Sequence, residues 1–215
     1  MLTCADDMLY TLRLPMGTSK TANAQKVARK IGILRARDLV ACGIRRAYLY
    51  RLHKMGVVER VGRGLYVFRN ANLTEGHSIA EASKKVQHGV VCLLSALRLH
   101  GLTTQNPFEV WMAIDRKARL PKSYTPNIRL VRFSGEALTA GVEVRKIERV
   151  SVRVYGVAKT VADCYKYRNK IGLDVALDAL RECRKKRACT MDELWHFAKI
   201  CRVTNVMRPY LEAIA

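Results

Sequence analysis

Arg45, Arg46, Tyr50, Arg51 and Lys54 lie in a stretch, residues 45–54, that contains no acid. At about 100° per residue on a helix, Tyr48, Leu49, Leu52 and Met55 take one arc, and Arg46, Ala47, Tyr50, Arg51 and Lys54 take the opposite one. A helix held by the first arc offers the second to a major groove. There an arginine can bond guanine N7 and O6 together, and a lysine can hold a phosphate. Arg63, set between Gly62 and Gly64, would then reach a neighbouring backbone or minor groove. The other reading of such a run is a solvated charged face. Tyr48 is read as core. Arg35 and Arg37 precede this helix and suit either phosphate contact or simple solvation.

Positioning those side chains requires an order of elements that the surrounding residues supply. The pattern predicts a helix over 22–30, a second over 36–41 ending at Gly43, and a third over 45–55 stopped by Gly56. Two β-type runs follow, 57–61 and 65–68, joined by Gly62-Arg63-Gly64, where glycine permits a tight hairpin. Three helices and a hairpin are the order of a winged helix-turn-helix. Helix wheel, element order and wing agree with one another, which favours DNA binding over a merely solvated face.

Beyond residue 70 the chain reads differently. Residues 71–77 lack apolar periodicity and read as a linker, and residues 1–20 as a loosely attached tail. From Ser78, which with Glu81 forms an S-x-x-E capping box, a helix to 86 is expected, then a long apolar helix from Val90 to Leu99. Runs at 110–114, 128–133, 143–147 and 150–155 read as strands of a small mixed or antiparallel sheet. Helices are expected over 160–170 and 173–186, then one capped by Thr190 and Glu193, then a short segment at 207–214. The expected fold is therefore α+β: a winged helix-turn-helix over 21–70, then a mixed α/β domain over 78–215 with a small sheet and several helices.

The balance of charge points the same way. The chain of 215 residues carries 39 Lys+Arg against 18 Asp+Glu, a net charge of +21, which suits a polyanionic partner. The first 70 residues hold 14 basic and 4 acidic side chains, the remainder 25 and 14, so the first part is about twice as basic per residue. In the second part Arg116, Lys117, Arg119, Lys122, Arg129 and Arg132 follow one another without an acid. They extend a nucleic-acid surface or keep a loop soluble. Lys159, Lys166, Tyr167, Arg168 and Lys170 flank an apolar helix and could face RNA, a partner protein or only solvent.

Several classes are disfavoured. There is no G-x-x-x-x-G-K-[ST] loop, no G-x-S-x-G elbow and no H-E-x-x-H pair, and the carboxylates Glu109, Asp115, Glu143 and Asp163 form no convincing Mg²⁺ cluster, so the chain reads as non-enzymatic and without cofactor. The seven cysteines include no C-x-x-C pair and read as reduced, buried thiols of a cytoplasmic protein. A zinc set of Cys183, Cys189, His196 and Cys201 does not match the usual ligand spacing. No apolar run reaches signal-peptide or membrane-spanning length.

Gly32-Ile33-Leu34-Arg35-Ala36-Arg37-Asp38-Leu39, Tyr48-Leu49-Tyr50-Arg51-Leu52 and Arg60-Val61-Gly62-Arg63-Gly64-Leu65-Tyr66 resemble the winged-helix half of AbiEi-type antitoxins. Cys92-Leu93-Leu94-Ser95-Ala96-Leu97, His100-Gly101-Leu102-Thr103-Thr104, Ala158-Lys159-Thr160-Val161-Ala162-Asp163-Cys164 and Tyr167-Arg168-Asn169-Lys170-Ile171-Gly172 resemble that family's C-terminal domain. Val157 stands where the family pattern has proline. The resemblance implies the antitoxin of a type IV toxin–antitoxin pair linked to phage-abortive infection, with a nucleotidyltransferase toxin countered without a stable complex. It also implies autoregulation: the winged helix would bind inverted repeats in double-stranded DNA upstream of its own operon, which two copies of the protein would occupy. The C-terminal domain would relieve toxicity, with Lys159, Lys166, Tyr167, Arg168 and Lys170 as candidates. The alternative is a stand-alone regulator whose second domain binds a ligand or partner; an RNA-binding or nucleic-acid-processing protein is a further rival.

Overall fold

A computed structural model describes residues 20–31, 33–62, 64–68, 76–118 and 127–213. The chain forms two compact units. The first contains the described residues up to Lys85, together with residues 146–151. It opens with helix α1 (Lys20–Ile31), strand β1 (Ile33–Arg35), helix α2 (Ala36–Ala41) and helix α3 (Ala47–Lys54), followed by strands β2 (Val58–Gly62) and β3 (Leu65–Phe68) and helix α4 (His77–Lys85).

Local chemistry sets these boundaries. The Asp38 carboxylate accepts the Arg35 backbone N–H at 2.8 Å, satisfying a donor at the start of α2. At its end Gly43 adopts φ +73°, its N–H donates to Val40 O, and the Ile44 N–H reaches back to Leu39 O at 2.9 Å. Helix α3 ends the same way: Gly56 has φ +69° and the Val57 N–H donates to Leu52 O at 3.0 Å. Such left-handed caps need glycine and turn the chain sharply, which produces the helix-turn-helix.

The two predicted strands form the hairpin, with Val58 opposite Phe68 and Arg60 opposite Tyr66, and a register shift between Arg60 and Gly62. A third strand adds to the predicted pair. Ile33, Leu34 and Arg35 pair antiparallel with β3, giving the sheet order β1-β3-β2. Three residues are too few for a periodic signal, so only the partner strand identifies them. Leu34, Leu39, Leu49, Leu52, Val58 and Phe68 close the core beneath this sheet.

In α4 the predicted capping box is not formed. The helix already includes His77, Ser78 is exposed within it, and Glu81 pairs instead with Lys85 one turn on, at 2.5 Å. The Ala80 N–H donates to Gly76 O, so the first turn begins upstream of Ser78. Helix α4 belongs to the first unit: the Lys84 ammonium meets the Asp38 carboxylate at 2.8 Å, and His77 meets Glu148 at 2.7 Å.

The second unit holds strand β4 (Val90–Val91), helix α5 (Leu93–Leu99), strands β5 (Val110–Asp115) and β6 (Ile128–Phe133), helix α6 (Glu136–Thr139), and most of strands β7 (Val142–Ile147) and β8 (Val150–Tyr155), whose residues 146–151 group with the first unit. Helices α7 (Val157–Lys166), α8 (Arg168–Ile171), α9 (Leu173–Lys185), α10 (Met191–Ile200) and α11 (Thr204–Ala213) complete the described chain. The sheet is mixed, in the order β6-β5-β4-β8-β7. Val90 and Val91 are thus a central strand, antiparallel to β5 and parallel to β8, and not the start of the expected long helix. A strand buried on both faces shows no alternation, so its apolar run is indistinguishable from a buried helix until its neighbours are known.

Helix α7 is buried along Ala158–Tyr165 and packs against α5, α9, α10 and α11. The capping box expected at Thr190 and Glu193 is formed: the threonine hydroxyl accepts the Glu193 N–H at 3.2 Å, and the Glu193 carboxylate accepts the Thr190 N–H at 2.8 Å. The fold is α+β, and among the described residues no helix is long and apolar enough to cross a membrane.

Candidate nucleic-acid interface

Helix α3 is anchored by two leucines one turn apart. Leu49 and Leu52 are buried against α1 and β2, and this rotation leaves Arg45, Arg46, Ala47, Tyr50, Arg51 and Lys54 exposed on the far side. Tyr50 is 61% exposed. Tyr48 is half-buried, and the Arg51 guanidinium lies 5.3 Å from its ring centroid, which steadies the arginine on the helix flank. Met55 departs from the predicted buried arc: it is 60% exposed, because Gly56 ends the helix and the chain turns before Met55 can reach the core.

The remaining N-terminal candidates divide. Arg37 is exposed, with Nε 3.9 Å from an Asp38 carboxylate oxygen. Arg35 is half-buried, and its Nη2 donates to the Lys84 carbonyl, which ties α4 to β1 within the first unit. Burial, together with nearby Arg37, pushes the Arg35 pKa below its ordinary value. Arg63 lies outside the described residues. Gly64 beside it has φ +70°, the left-handed conformation that a tight hairpin requires.

The second-unit candidates are more dispersed. Lys159 is fully buried and paired with Asp163, whereas Lys166 and Lys170 are exposed. Tyr167 and Arg168 are half-buried; an Arg168 Nη1 donates to Tyr165 O at 3.0 Å. Arg132, exposed on β6, donates from Nη1 to Arg116 O at 2.5 Å and to Ala118 O at 3.3 Å. Arg129 lies 4.5 Å over the Trp111 ring and 3.4 Å from Glu109. Arg119 and Lys122 lie outside the described residues.

The carboxylates are dispersed as well. Glu109 faces Arg129, Glu143 faces Arg145 at 3.3 Å, Asp115 accepts the Lys117 N–H at 2.7 Å, and Asp163 is buried with Lys159. Among the described residues no group of three or more His, Cys, Asp or Glu side chains is placed to hold a metal ion. Cys183 and Cys189 hydrogen-bond to each other, and the Cys201 thiol donates to Asp163 at 3.2 Å. Burial, with Asp163 beside it, pushes the Cys201 thiol up to about 12.

The basic face of α3 was legible in the sequence because it depends only on helical spacing. The contact of Tyr167 with Arg132 was not, since their 35-residue separation carries no local signal: the tyrosine hydroxyl donates to Arg132 O at 3.2 Å.

Comparison with known proteins agrees with the geometry of the first unit. The fold is similar to the crystal structure of the RV2827C protein from Mycobacterium tuberculosis, with a TM-score of 0.59, 15% identity, and coverage of 87% of this chain and 72% of that one. No curated protein matches the chain. Residues 24–69, from α1 through β3, match the family model described as "Transcriptional regulator, AbiEi antitoxin". With its helix-turn-helix, its hairpin and the exposed basic face of α3, the chain carries the winged-helix domain of the AbiEi antitoxin transcriptional regulators.

Proposed function

We propose that this protein is the cytoplasmic antitoxin of a type IV toxin–antitoxin pair, one that represses its own operon and counters a nucleotidyltransferase toxin without forming a stable complex with it. The observation that supports the reading best is the acid-free face of Arg45, Arg46, Tyr50, Arg51 and Lys54, standing out from a helix anchored by Leu49 and Leu52 within the matched domain. An arginine there can read guanine edges in a major groove while a lysine holds phosphate. Arg37 and the wing arginine Arg63 would add backbone contacts. Inverted repeats would be occupied by two copies, one per half-site. The second unit relieves toxicity, and the chain has no catalytic role of its own.

The test is binding of the full chain to its own upstream duplex, against scrambled duplex, at low and near-physiological salt. Phosphate contacts alone weaken steeply as salt rises. A preference for the upstream sequence of about 10³-fold or more that survives the higher salt is the expected result. Equal, salt-sensitive binding to both duplexes would refute operator recognition. Co-expression with a nucleotidyltransferase toxin, if one is encoded beside this chain, then tests antitoxicity, and cells that stay poisoned would refute that half of the reading.

A stand-alone regulator is the second reading, and one feature favours it. A cleft of about 340 Å³ lies between residues 101–105 and the α9 face carrying Val175, Asp178, Arg181 and Glu182. Ligand-dependent release of the operator, with no effect on any toxin, is the result that distinguishes it.

A further inference from the structure

Strands β5 and β6 are parallel, with Asp115 opposite Phe133, so their carboxyl ends lie side by side. From that edge three aromatic rings form a column. Tyr155 and Phe133 have centroids 5.7 Å apart and planes 15° apart; Phe133 and Tyr167 follow at 5.3 Å and 14°. Tyr155 is fully buried, Phe133 is 4% exposed and Tyr167 is half-buried, so the column runs from the core to the surface. Hydrophobic packing accounts for the two inner rings. It does not account for the basic residues gathered around the outer one.

The Tyr167 hydroxyl is held by Arg132 O, and the Arg132 guanidinium in turn closes the loop at Arg116 and Ala118. Arg116, Lys117, Arg132, Lys166 and Lys170 are all exposed here. Asp115, the acid of the same loop, already accepts the Lys117 N–H. The Lys170 ammonium lies over the Tyr167 ring, 5.6 Å from its centroid. Two basic segments that are well separated in the sequence are thus joined through Arg132, beside an aromatic ring oriented by a stack beneath it.

We propose that this patch is a binding site for single-stranded nucleic acid, with a base stacked on Tyr167 and the flanking phosphates held by Lys166, Lys170, Arg116 and Lys117. An incoming base would displace the Lys170 ammonium from the ring toward a phosphate. A ring already fixed by Phe133 and by the hydroxyl bond loses little freedom on binding, and every base has a π-face to offer it. An acidic protein surface would be drawn to the cations but has no use for the stacked ring.

The site lies in the second unit and does not rest on operator recognition by α3, so the two can fail separately. The experiment uses the full chain carrying Arg46→Ala, Arg51→Ala and Lys54→Ala, which silences the winged helix, and a short uridine oligomer with one thiouridine as photo-cross-linker. The matching deoxyuridine oligomer, which lacks only the 2′-hydroxyl, tests whether the ribose hydroxyl contributes. Cross-linking to the peptide that contains Tyr167 is expected. Tyr167→Phe should retain binding, while Tyr167→Leu, which keeps apolar contact with Phe133, should weaken it about 5- to 150-fold, the range that base stacking covers. Lys166→Gln with Lys170→Gln should lower the salt slope by about 0.7 for each phosphate that is no longer neutralised. Unchanged affinity in a folded Tyr167→Leu variant, or cross-links that avoid the patch, would overturn the proposal. So would failure of toxin relief in the lysine variant when the wild-type chain binds no oligomer, for the patch would then serve a protein partner.

Discussion

The Lys159 ammonium lies 2.5 Å from the Asp163 carboxylate, one turn along α7, and neither side chain has any exposure to solvent. The rings of Tyr155 and Phe133 face the ammonium at 4.2 and 5.0 Å, and the Cys201 thiol donates to the other carboxylate oxygen. Burial pushes the Asp163 carboxyl above its ordinary value, and Lys159 opposes that shift. Lys159, which the sequence leaves open to RNA, a partner protein or solvent, is thereby part of the core of the second unit.

Removing one member of a buried pair leaves an uncompensated charge, so Lys159→Met is expected to cost about 3–5 kcal/mol in urea unfolding. The double variant Lys159→Met with Asp163→Leu, which removes both charges, should recover much of that stability. Failure of toxin relief by Lys159→Met at an unchanged urea midpoint would instead assign Lys159 a direct role.

His100 makes stability depend on pH. Its Nε2 lies 2.7 Å from Tyr155 O and its Nδ1 3.0 Å from the Arg145 guanidinium. A carbonyl only accepts and a guanidinium only donates, so a neutral ring with hydrogen on Nε2 satisfies both. Burial, aided by Arg145, holds the imidazole pKa below its ordinary value, against the bond to Tyr155 O, which raises it. The unfolded chain, with a histidine pKa of about 6.5, therefore binds more protons across the interval between the two values. Stability is full above about pH 6.5 and is lost as pH falls through the folded-state pKa. The urea midpoint should drop on acidification, and drop less in His100→Gln. Asp163 works in the opposite sense, its raised pKa costing stability as pH rises through it, so the comparison of variant with wild type isolates His100.

Two glycines with the same backbone conformation should respond differently to alanine. Gly43 has φ +73° and open space where a Cβ would stand, whereas at Gly141, φ +69°, a Cβ would meet the Phe197 ring at 2.9 Å and the Lys159 Cβ at 3.0 Å. Gly43→Ala should cost only the left-handed penalty, about 1–2 kcal/mol. Gly141→Ala should cost distinctly more, because the ring and the helix backbone must also give way. Equal losses in thermal unfolding would contradict this.

On α3, Arg46→Ala or Arg51→Ala should weaken operator binding by about 1–3 kcal/mol where the arginine reads a base, with folding stability changed by less than about 0.5 kcal/mol. Lys54→Ala should weaken binding to all duplexes alike and reduce the salt slope by about 1. Arg35→Ala should do the reverse of the first pair, lowering stability while leaving sequence preference in place, since its Nη2 donates to the Lys84 carbonyl. Full operator affinity in both the Arg46 and Arg51 variants would remove α3 from the interface.

Features that depend on a few neighbouring residues were legible from the sequence alone. The bounds of α2, β3, β6 and β8, the glycine caps at Gly43 and Gly56, the Thr190–Glu193 capping box and the Leu49–Leu52 anchor all belong to this class. Helical spacing, left-handed turns and capping hydrogen bonds act over three to five residues, so residue type is sufficient to predict them. The tertiary structure decided the rest. Ile33–Arg35 is a strand because β3 lies beside it, and Val90–Val91 is a strand because β5 and β8 enclose it. Lys159 is internal because Asp163, Tyr155 and Phe133 together replace its water, and Tyr167 joins the basic loop after β5 because Arg132 receives its hydroxyl. In each of these cases at least part of the stabilising partnership comes from a distant segment, and a pattern read along the chain contains no term for a neighbour that only folding supplies.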